Sequence, residues 1–315
     1  MQPIPRHWAT LRETHTFPGT GTFALTIHGW SDQSVQEAER DARARMERLV
    51  AAGGPTQHGT SGHEYYPERR LPEELLEEIH GEDGALIAAI TRNRYGTAVL
   101  NTDALLISDI DLPEPSRRSR AGTRPGLLAR LFGGRKSDGR DARAHEAEVQ
   151  GADGGRAGGG PDVEDPAATR VLETIRAFTA DHPALGVRTY RTRGGFRLLI
   201  AGAHAGPSSD RARQLMEQLR SDQLYMLLCR VHDSYRARLT PKPWRISVDR
   251  FEQLGTRTAA DAVHRDWVER YRVASREFAV CRLLDVAGPA PSAVELQLID
   301  LHDRATRTDS ALPLA

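Results

Sequence analysis

Apolar and polar positions along this chain change period several times, and each change marks an element. Residues 20–28, "TGTFALTIH", read as a strand. "SVQEAERDARARMERLVAAGG" (34–54) has the spacing of a charged amphipathic helix, with Ser34 as N-cap and Gly53 as stop. A Gly/His/Pro loop follows, then a short helix is predicted over 72–81, "PEELLEEIHG". Residues 85–112 predict three strands joined by the tight connections "RNRYG" and "NTD", which favour antiparallel pairing.

Beyond 166 the same reading gives a helix over 168–183 and a strand, glycine turn and strand over 186–202. Two helices follow at 209–221 and 221–233, each opened by Ser-Asp. Residues 235–249 are extended and interrupted by Pro241 and Pro243, 259–288 read as helical, and 292–307 as a further helix. The expected class is α+β, with a mixed or antiparallel central sheet, flanking helices and a helical C-terminal region.

Composition divides the chain. Eleven of its 28 glycines fall between 113 and 166, a stretch with almost no aliphatic clusters, which predicts a flexible insertion. Its first half is basic (Arg117, Arg118, Arg120, Arg124, Arg130, Arg135, Lys136), without an acid between 116 and 137. One apolar island, "GLLARLFGG" (126–134), sets Leu127, Leu128, Leu131 and Phe132 at helical spacing. That island fits either a solvated linker or a short helix that docks on a protein partner or a polyanion. The expected organisation is an α+β portion over 1–112, the insertion over 113–166, a second α+β portion with basic strands over 167–250, and a helical region over 251–315.

Over all 315 residues the formal net charge is zero, so no bulk basicity points to nucleic acid or a membrane. No apolar run approaches the roughly 20 residues of a membrane helix. Cys229 and Cys281 lie far apart in apolar surroundings, and no secretory leader is evident; two buried free thiols in a cytoplasmic protein are expected.

Three stretches could carry chemistry. In "LLISDID", Asp109 and Asp111 are two residues apart on a strand and share a face. Close carboxylates repel unless a proton or a cation intervenes, and oxygen ligands suit Mg²⁺ or Mn²⁺; a solvated strand end is the alternative. In "YRTRGGFRLLI", Arg191, Arg193 and Arg197 surround Gly194 and Gly195, where a close backbone approach or a positive φ could serve phosphate binding; an ordinary hairpin with a solvated basic face is the alternative. In "HDSYRARLTPKPWR", Asp233 precedes Arg236, Arg238, Lys242 and Arg245, with Tyr235 and Trp244 interleaved. Such a surface suits a nucleic-acid backbone and a stacked base, or else a Pro-rich edge strand guarded by its charges.

The order of these stretches resembles the catalytic core of archaeo-eukaryotic-type primases and primase-polymerases. Those proteins carry an apolar strand ending in Asp-x-Asp, a glycine turn and strand with a phosphate-contacting His, and then a third acid. The resemblance implies that Asp109, Asp111 and Asp233 are catalytic acids and ligate Mg²⁺ or Mn²⁺ for nucleotidyl transfer. Arg197 stands where the family's His stands, and "LTPKP" lacks the Gly and Asn of its plasmid and phage branch. The whole chain also resembles a family of uncharacterised bacterial proteins with "YRTRxGxRLL", "FRARLTPKPWR" and "HDRxxRxxSxLPLA", matched at 190–199, 235–245 and 302–315. That second likeness implies no activity.

Other chemistries lack their motifs: there is no GxGxxG after a strand, no GxxxxGK[ST], no GxSxG and no HExxH. His58 and His63 have no matching second pair for zinc. His264, His302 and Asp303 are expected on solvated helix faces. The sequence thus leaves open a primase-like enzyme, a non-catalytic module for nucleotide, nucleic acid or an acidic partner, and an assembly protein docking through 126–134.

Overall fold

Every strand pairing among the described residues is antiparallel, and three sheets result. The computed structural model describes residues 4–19, 21–54, 73–113, 165–249 and 262–315. These belong to one compact unit, Met1–Leu112 with Gly160–Ala315, apart from Pro113, which opens the unit Pro113–Gly159. The apolar island with Leu127, Leu128, Leu131 and Phe132, and nearly all of the basic insertion, lie outside the described residues.

β1 (His7–Phe17) and β2 (Gly21–Ser31) form a long hairpin covered by α1 (Val35–Ala51). Ser34 caps that helix by accepting the N–H of Glu37. Gly29 lets the helix backbone approach: a Cβ there would lie 2.2 Å from the carbonyl oxygen of Ala38. Phe17, Leu25 and Met46 fill the small core between them. The sequence reading had the second strand of this hairpin and not the first.

One four-stranded sheet has the order β10 (Cys281–Ala287), β7 (Gly186–Thr192), β8 (Gly195–Ala201), β6 (Leu106–Asp111). β8 is buried along its whole length, so both faces of this sheet are covered. The other sheet has the order β3 (Glu74–His80), β4 (Leu86–Arg92), β5 (Ala98–Thr102), β9 (Tyr235–Arg238). A single large core joins the two: Ile107, Leu198 and Ile200 from the first sheet, and Leu100, Tyr235 and Ala237 from the second. Helices α2 (Pro166–Asp181), α3 (Asp210–Gln218) and α6 (Ala293–Thr306) add Phe178, Met216 and Leu298.

The edges β6 and β9 lie side by side without pairing, and helix α4 (Gln223–His232) fills the seam. Backbone groups on both edges need partners. The N–H of Asp222 donates to the carbonyl of Asp109. The Tyr225 hydroxyl donates to Ile107 O at 2.9 Å and accepts the Arg236 N–H at 3.4 Å, so one side chain stitches both edges. Arg197 Nη1 closes the last gap by donating to Arg238 O at 2.9 Å.

Several sequence expectations are corrected. Residues 74–80 form strand β3, not a helix. The doublets Leu75-Leu76 and Glu77-Glu78 mimic a helical period, but a register shift between Leu75 and Glu77 absorbs Leu76 as an extra, 38% exposed residue. The long helix over 259–288 is instead α5 (Ala262–Ser275) followed by β10. Arg307 Nη1 takes up the carbonyls of Ser275, Arg276 and Phe278 at and just beyond the end of α5, and Cys281–Ala287 then pair with β7. β6 does not continue the β4–β5 meander; it crosses to pair with β8. No helix among the described residues is long and apolar enough to cross a membrane.

His264 and His302 do not sit on solvated faces: both are buried. His302 packs edge-on to Tyr190, 3.9 Å from Cys281 Sγ, with Nδ1 2.9 Å from Asp303. Burial holds its pKa below 6.5; Arg197 acts the same way, and Asp303 opposes. Below that value the unfolded chain takes a proton that the native His302 refuses, so this residue makes stability fall as pH drops through about 6.5. Urea midpoints at about pH 7.5 and 5.5 should therefore differ less in His302→Gln than in the natural protein. An unchanged difference would show that His302 does not carry the effect.

Candidate functional site

Cationic side chains gather where β6, β8 and β9 end together. Asp109 on β6 faces Arg197 on β8, and Asp111 faces Gly195. Gly195 is required by close approach, not by a positive φ: a Cβ there would lie 1.9 Å from the Ile110 carbonyl oxygen. Arg191 is buried under this turn, donating to Gly195 O at 2.6 Å with its guanidinium over the Phe196 ring. Arg193 and Gly194 are half-buried at the turn itself, with Arg245 Nη2 lying over Gly194.

Arg197 is not a phosphate ligand here. It is 1% exposed, and its Nε and Nη2 hold both carboxylate oxygens of Asp109 at 2.7 and 2.9 Å. The fork is bidentate, and Nη1 is committed to β9. Arg236 is likewise buried, paired to Glu73 Oε1 at 2.8 Å, while Thr91 holds the other Glu73 oxygen. Tyr235 is buried too, its hydroxyl donating to Ala205 O, so it offers no stacking surface.

Asp233 does not join Asp109 and Asp111. It caps the C-terminal end of α4 in the left-handed region and accepts from Ser208, whereas Asp222 at the N-terminal end touches Asp109. The ten residues of α4 make eleven steps of about 1.5 Å between Asp222 and Asp233, on the order of 16 Å. A cation with ligands at roughly 2.0–2.6 Å cannot span that. Among the described residues no three His, Cys, Asp or Glu side chains form a metal-holding group. With both Asp109 oxygens taken by Arg197, the predicted Mg²⁺ or Mn²⁺ triad is not assembled.

Arg238, Lys242, Trp244 and Arg245 are assembled differently. After β9 the chain turns through Thr240 and Pro241, which are pinned by the Tyr271 hydroxyl. Pro243–Arg245 then form one 3-10 turn. Lys242 thus stands between two prolines, with φ fixed on both sides. Arg238 makes no hydrogen bond or ion pair from its side chain among the described residues, and its Nε is sealed from solvent. Burial and the neighbouring Arg197 push its pKa down. Lys242 is pushed down to about 8, first by burial, then by Arg238 and Arg245. Asp111, at the exposed end of β6, is pushed up by partial burial and by Asp109 and Asp222.

Compared with known proteins, the chain matches no family model, no curated protein and no solved structure. Trp244 is 42% exposed beside this cluster, with Tyr95 set edge-on at 5.3 Å and Lys242 Nζ 5.6 Å from the ring centroid. Tyr95 and Asp222 are site neighbours that sequence reasoning missed. Tyr95 looked like an ordinary turn residue in "RNRYG", and Asp222 only like a helix cap; no local signal marks either.

Proposed function

We propose that this protein is a non-catalytic binding module for nucleotide or nucleic-acid phosphate, with Arg238, Lys242 and Arg245 as its anion-binding side chains. The observation that carries the reading is Arg238, a half-buried guanidinium that forms no ion pair of its own and whose sealed Nε has no hydrogen-bond partner among the described residues. A cation with a sealed, unpartnered nitrogen is costly unless something accepts from it, and an anionic ligand could do so. Trp244 favours nucleic acid over an acidic protein segment, because its exposed ring offers a stacking face next to the cations. A primase-like enzyme would need Asp109, Asp111 and Asp233 to share a cation, an arrangement that the separation of Asp233 and the pairing of Asp109 disfavour.

Binding of a labelled single-stranded oligonucleotide should weaken steeply with salt, as released counterions require. Asp111→Asn separates the two readings. Removing a carboxylate beside an anion site should tighten binding several-fold, on the order of 0.5–1 kcal/mol. Loss of a metal ligand would instead abolish a metal-dependent activity and leave salt-sensitive binding no stronger. Fluorescence anisotropy of the two proteins at equal salt decides between them, and weaker binding by Asp111→Asn would remove the support for this proposal.

A further inference from the structure

We infer that β2 adds to the β2 strand of a second copy of this chain, making a four-stranded antiparallel sheet across a two-fold axis. The inference stands apart from the anion-binding reading, since none of Arg238, Lys242 and Arg245 lies on β1, β2 or α1.

Edge strands usually carry something that keeps other strands away. β3 shifts register twice and carries Glu74, Glu77 and Glu78, and β10 shifts between Leu283 and Asp285. β6 and β9 are stitched to each other through Tyr225, and β1 bears Arg12 and Glu13. β2 has none of these devices. Its eleven residues contain no Asp, Glu, Lys, Arg or Pro, and they pair with β1 without a shift. Two strands are also the fewest a sheet can have, and added strands stabilise it.

The free part of this edge has definite ends. The Trp30 N–H turns away from β1 and donates to Asp41 at 3.1 Å. Antiparallel residues alternate between bonding the neighbouring strand and facing away, so Thr22, Ala24, Thr26 and His28 also turn outward. The side chains of Thr10 and His28, and of Thr16 and Thr22, hydrogen-bond across the hairpin at these same closer pairs. Among the described residues, the backbone N–H groups of Thr22, Ala24, Thr26 and His28 have no partner. The open edge therefore covers residues 22–28, and its midpoint is Leu25.

A second copy fits that segment. A two-fold axis through Leu25 sets Thr22 against the partner's His28 and Ala24 against the partner's Thr26, with about eight backbone hydrogen bonds in all. On the α1 face the same register brings Phe23 to the partner's Ile27 and Leu25 to the partner's Leu25, apolar against apolar. Charge names the occupant. Residues 35–41 of α1 hold three acids and one base, whereas 42–51 hold three bases and one acid. The axis runs α1 antiparallel to its copy, acidic half beside basic half. An unrelated strand would bring no such match.

Sedimentation equilibrium of the full chain is expected to give twice the monomer mass at micromolar concentration. Ala24→Lys with Thr26→Lys sets like charges opposite each other across the axis, and so does Ala24→Glu with Thr26→Glu. Both positions are exposed in the single chain. Each double variant should weaken association at least about tenfold, and an equimolar mixture of the two should restore it. Recovery on mixing also shows that both variants are folded. Thr26→Pro removes an N–H that serves no bond within the hairpin, and should give the same loss without added charge. A natural protein that remains monomeric at about 100 μM overturns the inference, because so weak an affinity makes no stable assembly. A dimer that both double variants leave intact overturns it as well, since another surface would then join the copies. Loss of association in both variants without recovery on mixing overturns the two-fold register.

Discussion

Asp109→Ala is expected to destabilise the protein by about 3–5 kcal/mol, the cost of leaving a buried charge unpaired. Arg197 is the charge in question: it is 1% exposed, and Asp109 occupies two of its three nitrogens. The loss reaches further than the pair, since Arg197 also satisfies the Arg238 carbonyl across the seam. The double variant Asp109→Leu with Arg197→Met should recover most of the stability, because an apolar pair of similar volume removes both desolvation costs. Urea unfolding of the three proteins reads this directly. A single variant within about 1 kcal/mol of the natural protein would mean that Asp109 is no structural partner, and would reopen its reading as a ligand.

Lys242→Met is expected to do the opposite to stability while weakening binding. The folded state lowers the lysine pKa from 10.5 to about 8, so holding the ammonium charged costs the native protein at most roughly 3 kcal/mol. The sign follows from proton counts. Between about 8 and 10.5 the unfolded chain binds more proton than the native one, so stability attributable to this residue rises with pH across that window. Below about 8 both states are charged and the full cost is present. The methionine variant should melt higher at neutral pH, its advantage should shrink toward pH 10.5, and its affinity for the oligonucleotide should fall at least tenfold. A variant that melts lower and binds as before would remove Lys242 from the site. A residue that weakens the fold yet lies among other cations is what the proposed binding role predicts energetically.

Local pattern carried much of the fold and little of the pairing. Ser34, Ser209 and Ser292 cap their helices as Ser at such positions should, and the "TRGG" turn joins β7 to β8 in the expected hairpin. These are effects within a few residues. The β3 strand was misread because doublets of Leu and Glu fit a helical period, and only its ladder with β4, bulged, decides otherwise. The site shows the same limit. Arg191, Arg193, Arg197, Arg236 and Arg238 look alike in the sequence, yet their fates diverge. Arg197 meets Asp109 from 88 residues away and Arg236 is paired with Glu73 from 163 residues away, while Arg238 on the same strand meets no carboxylate. Register across distant strands separates them, and no periodicity encodes it. The break after β9 was legible because Pro241 and Pro243 hold that segment out of a regular ladder.

The register shift in β10 bears on how these molecules behave in a crowd. β10 is an edge strand and exposes Leu284 and Val286, the combination that lets one chain add to another. The shift between Leu283 and Asp285 breaks the even spacing of backbone donors and acceptors along that edge, and Asp285 adds a charge in the middle of it. A neighbouring strand would find neither a continuous ladder nor a neutral surface, so this apolar edge can remain open to solvent without seeding aggregation.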